Sequence, residues 1–248
     1  MQSNKFHVGR RQIIHYDKTG QPRYQWLPLG AADFLDPKEG DEFNHGARHE
    51  SVARAVRRLF RHLHRYNPST LVISGVKLVW GVDDLPQPAP DLAVIPNVTA
   101  PEQPRTRFDV GAEGAAPRFV LEVTSPRLAN LDHHEKRRIY EQAGVEEYFV
   151  LDTGETDDAP CRLVGYRLTG DRYERLAADE RGYLYSTVNR AWVGIDPNRQ
   201  EPALTDERTG EPVIPPADVD ESPAAKAAAA EARASSIAAQ LDFLRPND

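Results

Sequence analysis

The amino-acid sequence predicts an α/β protein followed by a helical tail. In the middle of the chain, short apolar runs typical of buried strands alternate with segments whose apolar residues recur at helical spacing. Near the end, a polar, Pro-rich stretch precedes an Ala-rich segment. We therefore expect an N-terminal arm or hairpin at 1–42, an α/β domain at 43–195, a flexible linker at 196–221 and an Ala-rich helical tail at 222–248.

The composition is that of a globular protein and excludes several classes of function. Hydrophobic residues make up 40% and charged residues 28% of the 248 positions. The net charge of −7 argues against coating nucleic acid or anionic membrane by bulk charge, so such binding needs a local basic patch. Cys161 is the only cysteine, which excludes an internal disulfide and a multi-cysteine zinc site. The lone cysteine fits a reducing compartment, so the cytosol is the expected location. With no long apolar run and no signal-peptide core at the N-terminus, no membrane partner is expected.

The first part of the chain predicts a hairpin or extended arm and then a helix. Turn-forming residues at 17–20 separate two short apolar and aromatic runs. Over about 45–64, apolar side chains recur at helical spacing, with arginines on the opposite face. Such a stripe is usually a solvated helix face, but it also offers a basic patch for nucleic acid. The candidate contact residues are Arg54, Arg57, Arg58 and Arg61.

The next elements supply the predicted sheet. Apolar runs at 71–80, 91–96, 119–123 and 147–152 predict strands. A surface loop at 97–117 and a helix at about 133–143, ended by Gly144, lie between them. Thr169, Gly170 and Asp171 predict the turn of a β-hairpin, and 183–196 adds one more antiparallel element.

The tail predicts a single helix. Ser222 and Pro223 form an N-cap and first-turn pair ahead of a helix that reaches about residue 244. Small and apolar residues then recur at the spacing of a coiled-coil seam: Ala230, Ala234, Ile237, Leu241 and Leu244. A marginal surface helix and a dimer seam fit this pattern equally well.

Two carboxylates stand beside or within the apolar strands. Glu122 lies at the centre of "RFVLEVTSP", where an unpaired charge is costly to bury. Asp91 opens a second apolar strand directly after Pro90. If the two strands are neighbours, both carboxylates can converge on a hard cation such as Mg²⁺ or Mn²⁺, with the Val123 carbonyl as a further oxygen ligand. A salt bridge to a lysine would compensate Glu122 equally well.

The helix that follows supplies such a lysine. Asp132, Lys136 and Tyr140 recur at four-residue steps and share one helical face. Lys136 can therefore point toward Glu122, orient an attacking water or steady charge on a phosphate. His45 and His49 have the i, i+4 spacing of a metal pair but lack an HExxH signature, which favours capping or packing.

Taken in order, these residues resemble a family of restriction endonucleases in the PD-(D/E)XK nuclease superfamily. The family pattern is Pro-Asp with a short apolar strand, then apolar-Glu-Val-x-Ser-Pro, then Asp-x-x-x-Lys-x-x-x-Tyr, then Gly-Val-x-Glu-Tyr-x-x-x-Asp. The matching residues are Pro90, Asp91, Glu122, Val123, Ser125, Pro126, Asp132, Lys136, Tyr140, Gly144, Val145, Glu147, Tyr148 and Asp152. The resemblance implies a restriction-endonuclease-like core in which helices flank a central mixed sheet.

The resemblance also implies an endodeoxyribonuclease that depends on Mg²⁺ or Mn²⁺. Asp91 and Glu122 would hold the metal and, with Lys136, form the catalytic set. Thr124 stands where the superfamily usually has a lysine, and in this family the lysine role is expected to move to Lys136. Typical members have a Tyr-Glu-rich N-terminal strand motif that is missing here, which leaves Glu50 as the candidate for an additional acidic ligand.

Two other functions remain open from the sequence. A catalytically weak or inactive nucleic-acid-binding module of the same fold would account for Thr124 and the acidic net charge. An assembly protein acting through the tail would self-associate and lose that property when cut near Ser222. DNA is the expected partner of the enzyme, and a homodimer is compatible with it because cutting both strands of a duplex requires two sites.

Overall fold

The computed structural model describes residues 7–154, 156 and 159–216 of the chain. The described residues up to 213 belong to one compact unit, and 214–216 are the described part of a second. The elements in chain order are β1 (Gly9–Tyr16), β2 (Pro22–Leu29), α1 (Ala31–Leu35), β3 (Asp41–Phe43), α2 (Ala47–Leu63), β4 (Leu71–Ile73), β5 (Lys77–Val79), β6 (Leu92–Ile95), β7 (Arg107–Asp109), α3 (Val110–Glu113), β8 (Phe119–Thr124), a π-helical turn (Leu131–Lys136) that continues as α4 (Arg137–Gln142), β9 (Glu147–Asp152), β10 (Arg162–Thr169), β11 (Arg172–Arg175), β12 (Leu184–Ser186), β13 (Ala191–Asp196) and β14 (Glu201–Asp206).

A mixed sheet forms the centre of the first unit. Its six described strands lie in the order β11-β10-β9-β8-β6-β4. Strands β8 and β9 run parallel, whereas β6 pairs antiparallel with both β8 and β4, and β10 pairs antiparallel with β9 and β11. A parallel pair needs a crossover connection, and the π-helical turn with α4 supplies it. The predicted α/β fold with a central mixed sheet and flanking helices is confirmed.

Helices cover both faces of this sheet because side chains alternate along each strand. On one face α2 packs against the sheet, with the Phe60 and Phe119 ring centroids 5.1 Å apart. On the other face α4 contributes Tyr140, which packs in one cluster with Val120. Glu122 follows Val120 by two residues and therefore points toward α4, not α2.

The first helix and the N-terminal hairpin form close to where the sequence predicts them. Helix α2 begins after Gly46 and buries the apolar face predicted for 45–64. Strands β1 and β2 pair antiparallel around the turn at 17–20, and β3 adds to the other edge of β1. Val8, Leu29 and Phe34 of this N-terminal part pack against Leu128 and Leu131. The N-terminal sheet is thereby fixed beside the π-helical turn.

Two segments of the middle region differ from the predictions. The single strand predicted at 71–80 is broken at Gly75, whose φ of +64° favours glycine, and becomes β4 and β5. The surface loop predicted at 97–117 contains β7 and α3. Strand β7 pairs with β5 and buries Phe108 completely. Long-range pairing with β5 therefore orders a segment whose Pro and Gly content predicted a loop.

The prediction of a flexible linker at 196–221 is wrong for Glu201–Asp206, which form strand β14. This strand pairs antiparallel with β13 along its whole length. Its Leu204 is 2% exposed and belongs to the same apolar cluster as α2. Pairing with the preceding strand β13 and burial against the distant helix α2 thus stabilise a segment whose own composition is too polar to order itself.

Two further predictions concern the tail and the membrane. The Ala-rich helix at 222–248, with its Ala230-to-Leu244 seam, lies outside the described residues. Within the described ranges, no helix has both the length and the apolar character needed to cross a bilayer.

Candidate active site

Two neighbouring strands bring Asp91 and Glu122 together. Strands β6 and β8 pair with Leu92 opposite Leu121, so Asp91 and Glu122 occupy adjoining positions at this end of the ladder. The Asp91 Oδ2 atom accepts a hydrogen bond of 2.8 Å from the Val123 backbone N–H. The Asp91 backbone N–H donates to Glu122 Oε2 at 3.4 Å. The convergence predicted from the sequence is therefore a consequence of strand pairing.

Glu122 is buried and has charged and polar partners from the crossover helix. Its side chain is 1% exposed, and its Oε2 atom lies 3.0 Å from the Lys136 ammonium. The Tyr140 hydroxyl donates to Oε1 at 2.7 Å. Lys136 also pairs with Asp132 at 3.1 Å and lies 4.1 Å from the centre of the Phe34 ring. The lysine salt bridge considered in the sequence analysis is thus present.

The π-helical turn carries two of these partners into the protein. Asp132 and Lys136 both lie in it, and each is at most 2% exposed. Tyr148 donates from its hydroxyl to the Asp132 backbone carbonyl at 2.7 Å, which anchors the turn to β9. Single π-helical turns are frequent at functional sites because they redirect side chains within a helix. Here the turn directs a charged pair at a buried carboxylate.

Burial and charge set the protonation of this cluster. The pKa of Glu122 is raised to about 8, chiefly by burial and in part by the nearby Asp91 carboxylate, while the Lys136 ammonium acts to lower it. Burial alone would also raise the pKa of Asp91, but its contacts with His49, Lys136 and the Val123 N–H outweigh it and lower that pKa. Burial acts to lower the pKa of Lys136, yet the Asp132 and Glu122 carboxylates raise it on balance. A further cation would favour the ionised form of Glu122.

His49 is a site residue that the sequence analysis missed. Its Nε2 atom lies 3.3 Å from Asp91 Oδ2, and its side chain is 5% exposed. The His45 ring stacks on it with centroids 4.2 Å apart. Burial would lower the pKa of His49, but its hydrogen bond to Asp91 raises it on balance. The i, i+4 spacing of His45 and His49 was visible in the sequence and was interpreted as capping or packing. Nothing in the local sequence linked either histidine to Asp91.

Glu50 and the arginines occupy the outer side of α2. Glu50 is exposed and lines a small side pocket together with Arg54, Arg57 and Asp91. In the described part of the chain, no three side chains of His, Cys, Asp or Glu are grouped as metal ligands. Glu50 is therefore not brought into one cluster with Asp91 and Glu122. Arg58 is half-buried and Arg61 exposed, both further along α2.

A cavity of about 370 Å³ opens onto this cluster. Asp91, Glu122 and Lys136 contribute to its lining, together with Phe43 from the N-terminal sheet and Lys77 from β5. The two carboxylates and the lysine can therefore meet a ligand directly.

Comparison with known proteins identifies the family. The family model described as "Uma2: Putative restriction endonuclease" matches residues 35–188. The chain belongs to this family. Uma2 membership confirms both the resemblance to restriction endonucleases and the restriction-endonuclease-like fold class, and it supports a nuclease function.

Among solved structures, this Uma2 chain is similar to one described as "a putative nuclease belonging to DUF820 from Anabaena variabilis ATCC 29413". The two share 12% identity over 63% of this chain and 81% of that chain, with a TM-score of 0.46. A search of the curated proteins found no match.

Proposed function

We propose that this protein is a metal-dependent nuclease that hydrolyses phosphodiester bonds in DNA. One observation carries the proposal: two carboxylates from adjacent strands and a buried lysine meet at the base of an open cavity. Membership in a family of restriction endonucleases gives this geometry its chemical context.

The donor set fits a hard divalent cation. Asp91 and Glu122 offer carboxylate oxygens, the ligands that Mg²⁺ and Mn²⁺ prefer. Mg²⁺ typically uses one or two protein carboxylates and completes its shell with water and substrate phosphate, so a third acidic side chain is not required. A bound cation would offset the burial that raises the pKa of Glu122 and would favour the ionised carboxylate. We assign the metal to these two residues, with the Val123 carbonyl as a further oxygen ligand and Glu50 as no more than an outer contributor.

Each protein group has a separate task in the proposed reaction. When bound, the metal supplies an acidified water and neutralises charge on the phosphate. Lys136, held between Glu122 and Asp132, steadies the negative charge that grows on the phosphate as the bond breaks. Thr124, at the position where the superfamily usually has a lysine, is completely buried. In this proposal Lys136 from the crossover helix takes the role of that lysine.

Other residues hold these groups in place. Tyr140 fixes one oxygen of Glu122, and Asp132 holds Lys136 from behind. His49 fixes the Asp91 carboxylate from α2. Arg54, Arg57, Arg58 and Arg61 on the same helix are proposed to contact the DNA backbone, with Arg54 and Arg57 nearest the site.

Cleavage of supercoiled plasmid in Mg²⁺ and in Mn²⁺ tests the proposal. We expect nicking that disappears with a chelator and falls at least about 100-fold in Glu122→Gln, Asp91→Asn and Lys136→Met. Glu174→Gln, the same chemical change on the exposed strand β11, serves as the matched control and should cleave normally.

Activity that persists in the chelator or in Glu122→Gln would contradict the proposal. Folded protein that binds DNA without cutting it in either metal would instead identify the nucleic-acid-binding module.

A further inference from the structure

An aromatic ring from the N-terminal part of the chain lies against Lys136. The Lys136 ammonium pairs with Glu122 at 3.0 Å and with Asp132 at 3.1 Å. The centre of the Phe34 ring lies 4.1 Å from the same ammonium. A cation at this distance over an aromatic face is attracted by the quadrupole of the ring. Because the lysine side chain is only 3% exposed, little water weakens this attraction.

Phe34 comes from an element that is separate from the sheet and from the crossover helix. It lies in the short helix α1, which is tied to the N-terminal sheet by the residue before it. The Asp33 carboxylate accepts a hydrogen bond of 3.0 Å from the Gly30 backbone N–H and one of 3.1 Å from Arg11 of β1. The N-terminal sheet therefore holds the helix that carries the ring.

Packing keeps the Phe34 ring in place. The ring is 7% exposed, and the Phe43 ring packs against it at an angle of 81° with the centroids 5.4 Å apart. Phe34 also belongs to one apolar cluster with Leu131, which begins the π-helical turn. The ring is thus fixed against the same turn that carries Lys136.

An aromatic ring has a chemical advantage over a further carboxylate at this position. Phe34 and Lys136 both line the cavity that a phosphate would enter. A carboxylate in place of the ring would repel that phosphate and neutralise the lysine further. An aromatic face attracts the ammonium without a full negative charge. The ring can therefore place the ammonium and leave its charge available to the phosphate.

From these contacts we infer that Phe34 is a positioning residue, whose ring holds the Lys136 ammonium where it meets the reacting phosphate. Helix α1 of the N-terminal part is then a component of the active site. The effect on cleavage rests on the proposed nuclease function, whereas the hold on Lys136 can be measured without it. If Phe34 were only a packing residue, any apolar side chain of its size would serve between the N-terminal sheet and the π-helical turn.

NMR of the full chain labelled with ¹³C-lysine tests the hold on Lys136 without cleavage. Protons above an aromatic face are shifted upfield, so we expect a displaced signal from the methylene beside the Lys136 ammonium, assigned by its loss in Lys136→Met. Phe34→Leu keeps an apolar side chain but has no ring, and should return this signal to the ordinary lysine position. Trp26→Leu is the matched control, because it removes a cation–π contact of the same 4.1 Å length, to Arg10, and should leave the signal unchanged.

A fluorinated ring separates positioning from packing. Trifluorophenylalanine at position 34 keeps nearly the shape of the ring but removes most of the negative potential on its face. We expect the upfield displacement of the Lys136 signal to shrink in this protein. Its kcat for cleavage should fall about 10-fold, as in Phe34→Leu, while DNA binding in chelator changes by less than about 2-fold. Thermal melting of each variant checks that it is folded.

A wild-type Lys136 signal at the ordinary lysine position would overturn the inference. A folded fluorinated protein that cleaves at the wild-type rate, or that keeps the wild-type Lys136 signal, would also overturn it, because Phe34 would then only fill space. If the wild type cuts nothing, the NMR result separates the two proposals. A displacement that shrinks in the fluorinated protein keeps the hold on Lys136 and removes the nuclease function, and an unchanged displacement removes both.

Discussion

Two glutamates buried in neighbouring strands show how one residue type takes opposite roles. Glu147 of β9 is completely buried, and its oxygens accept hydrogen bonds from Arg167, Ser186 and Thr187. Glu122 of β8 is equally buried but faces a cavity, with Lys136 and Tyr140 behind it. The sequence motif contains both glutamates, yet the surroundings make one a structural partner and leave the other able to meet a ligand.

We expect opposite effects when each glutamate is changed to glutamine. Glu147→Gln should reduce the free energy of unfolding by about 2–3 kcal/mol, because Arg167 loses its charged partner and an amide replaces an acceptor-only group. Its cleavage rate per folded molecule should remain close to that of the wild type. Glu122→Gln should abolish cleavage and cost less stability than Glu147→Gln, because Lys136 keeps Asp132 as a charged partner at 3.1 Å.

Urea denaturation and plasmid cleavage, measured on the same samples, check both expectations. A Glu122→Gln protein destabilised as much as Glu147→Gln would show that Glu122 is chiefly a structural ion-pair partner.

At this scale, local spacing is enough to find some site residues but not others. Lys136 and Tyr140 share a helical face, so the sequence could group them. His49 could not be linked to Asp91, because that contact depends on how α2 docks against the sheet. Glu50 is the next residue along α2, and neighbouring helical residues point about 100° apart, so it misses the cluster that His49 reaches.

The short strand β3 with its preceding loop is an element whose stability depends on a titrating group. Asp41 is 1% exposed at its side chain and pairs with Arg11. Burial would raise the pKa of Asp41, but the hydrogen bonds from Arg11 and the Lys38 N–H outweigh it and lower that pKa. A carboxylate whose pKa is lowered by folding stabilises the folded state at any pH above its ordinary pKa. This contribution is lost as the pH falls through the lowered pKa.

Asp41→Asn should therefore be less stable than the wild type by about 1–2 kcal/mol at pH 7. The gap should close as the pH falls below about 4, where the wild-type carboxyl also becomes neutral. Thermal unfolding across this pH range checks the sign. Glu42→Gln, a change in the exposed neighbouring ion pair, should show almost no gap at either end. A gap for Asp41→Asn that does not depend on pH would contradict the role of its charge.

The elements that the sequence misjudged are those ordered by distant partners. Strand β14 was taken for a linker because proline and charged residues surround Leu204. Its order comes from pairing with the preceding strand β13 and from burial of Leu204 beside the distant helix α2, a contact that leaves no local pattern. Helix α2, by contrast, shows its buried face in its own periodicity and was predicted to within two residues at each end.

The extent of the folded unit gives a prediction for the whole molecule. A chain that ends after Pro216 keeps every strand described here, whereas one that ends after Asp196 loses β14. We expect the longer chain to melt within a few degrees of the full chain and to keep its cleavage activity. The shorter chain should lose several kcal/mol of stability, because the α2 and β13 side chains that cover Leu204 become exposed.

Circular-dichroism melting and sedimentation of the three chains check this. A shorter chain as stable as the full chain would show that β14 does not contribute to the core. If the full chain associates and the chain ending after Pro216 does not, the Ala-rich tail is the association element.

The class of fold was predictable from the sequence, and its pairing order was not. Alternating strand and helix patterns in the middle of the chain were enough for an α/β protein with a mixed sheet. The order β11-β10-β9-β8-β6-β4 depends on long-range pairing, as does the small β5-β7 sheet that borders the cavity. Sequence reasoning therefore anticipated that Asp91 and Glu122 lie on neighbouring strands, without finding the cavity that they line.

The hydrogen bond from the Val123 backbone to Asp91 has a practical consequence. A backbone amide at the centre of the site is tied to the state of one carboxylate. The exchange rate of the Val123 amide with deuterated solvent should therefore rise when Asp91 is replaced by alanine. It should also rise when a bound cation draws the Asp91 carboxylate away from the amide. The exchange rate of this amide thus reports on the candidate active site without a label or a substrate.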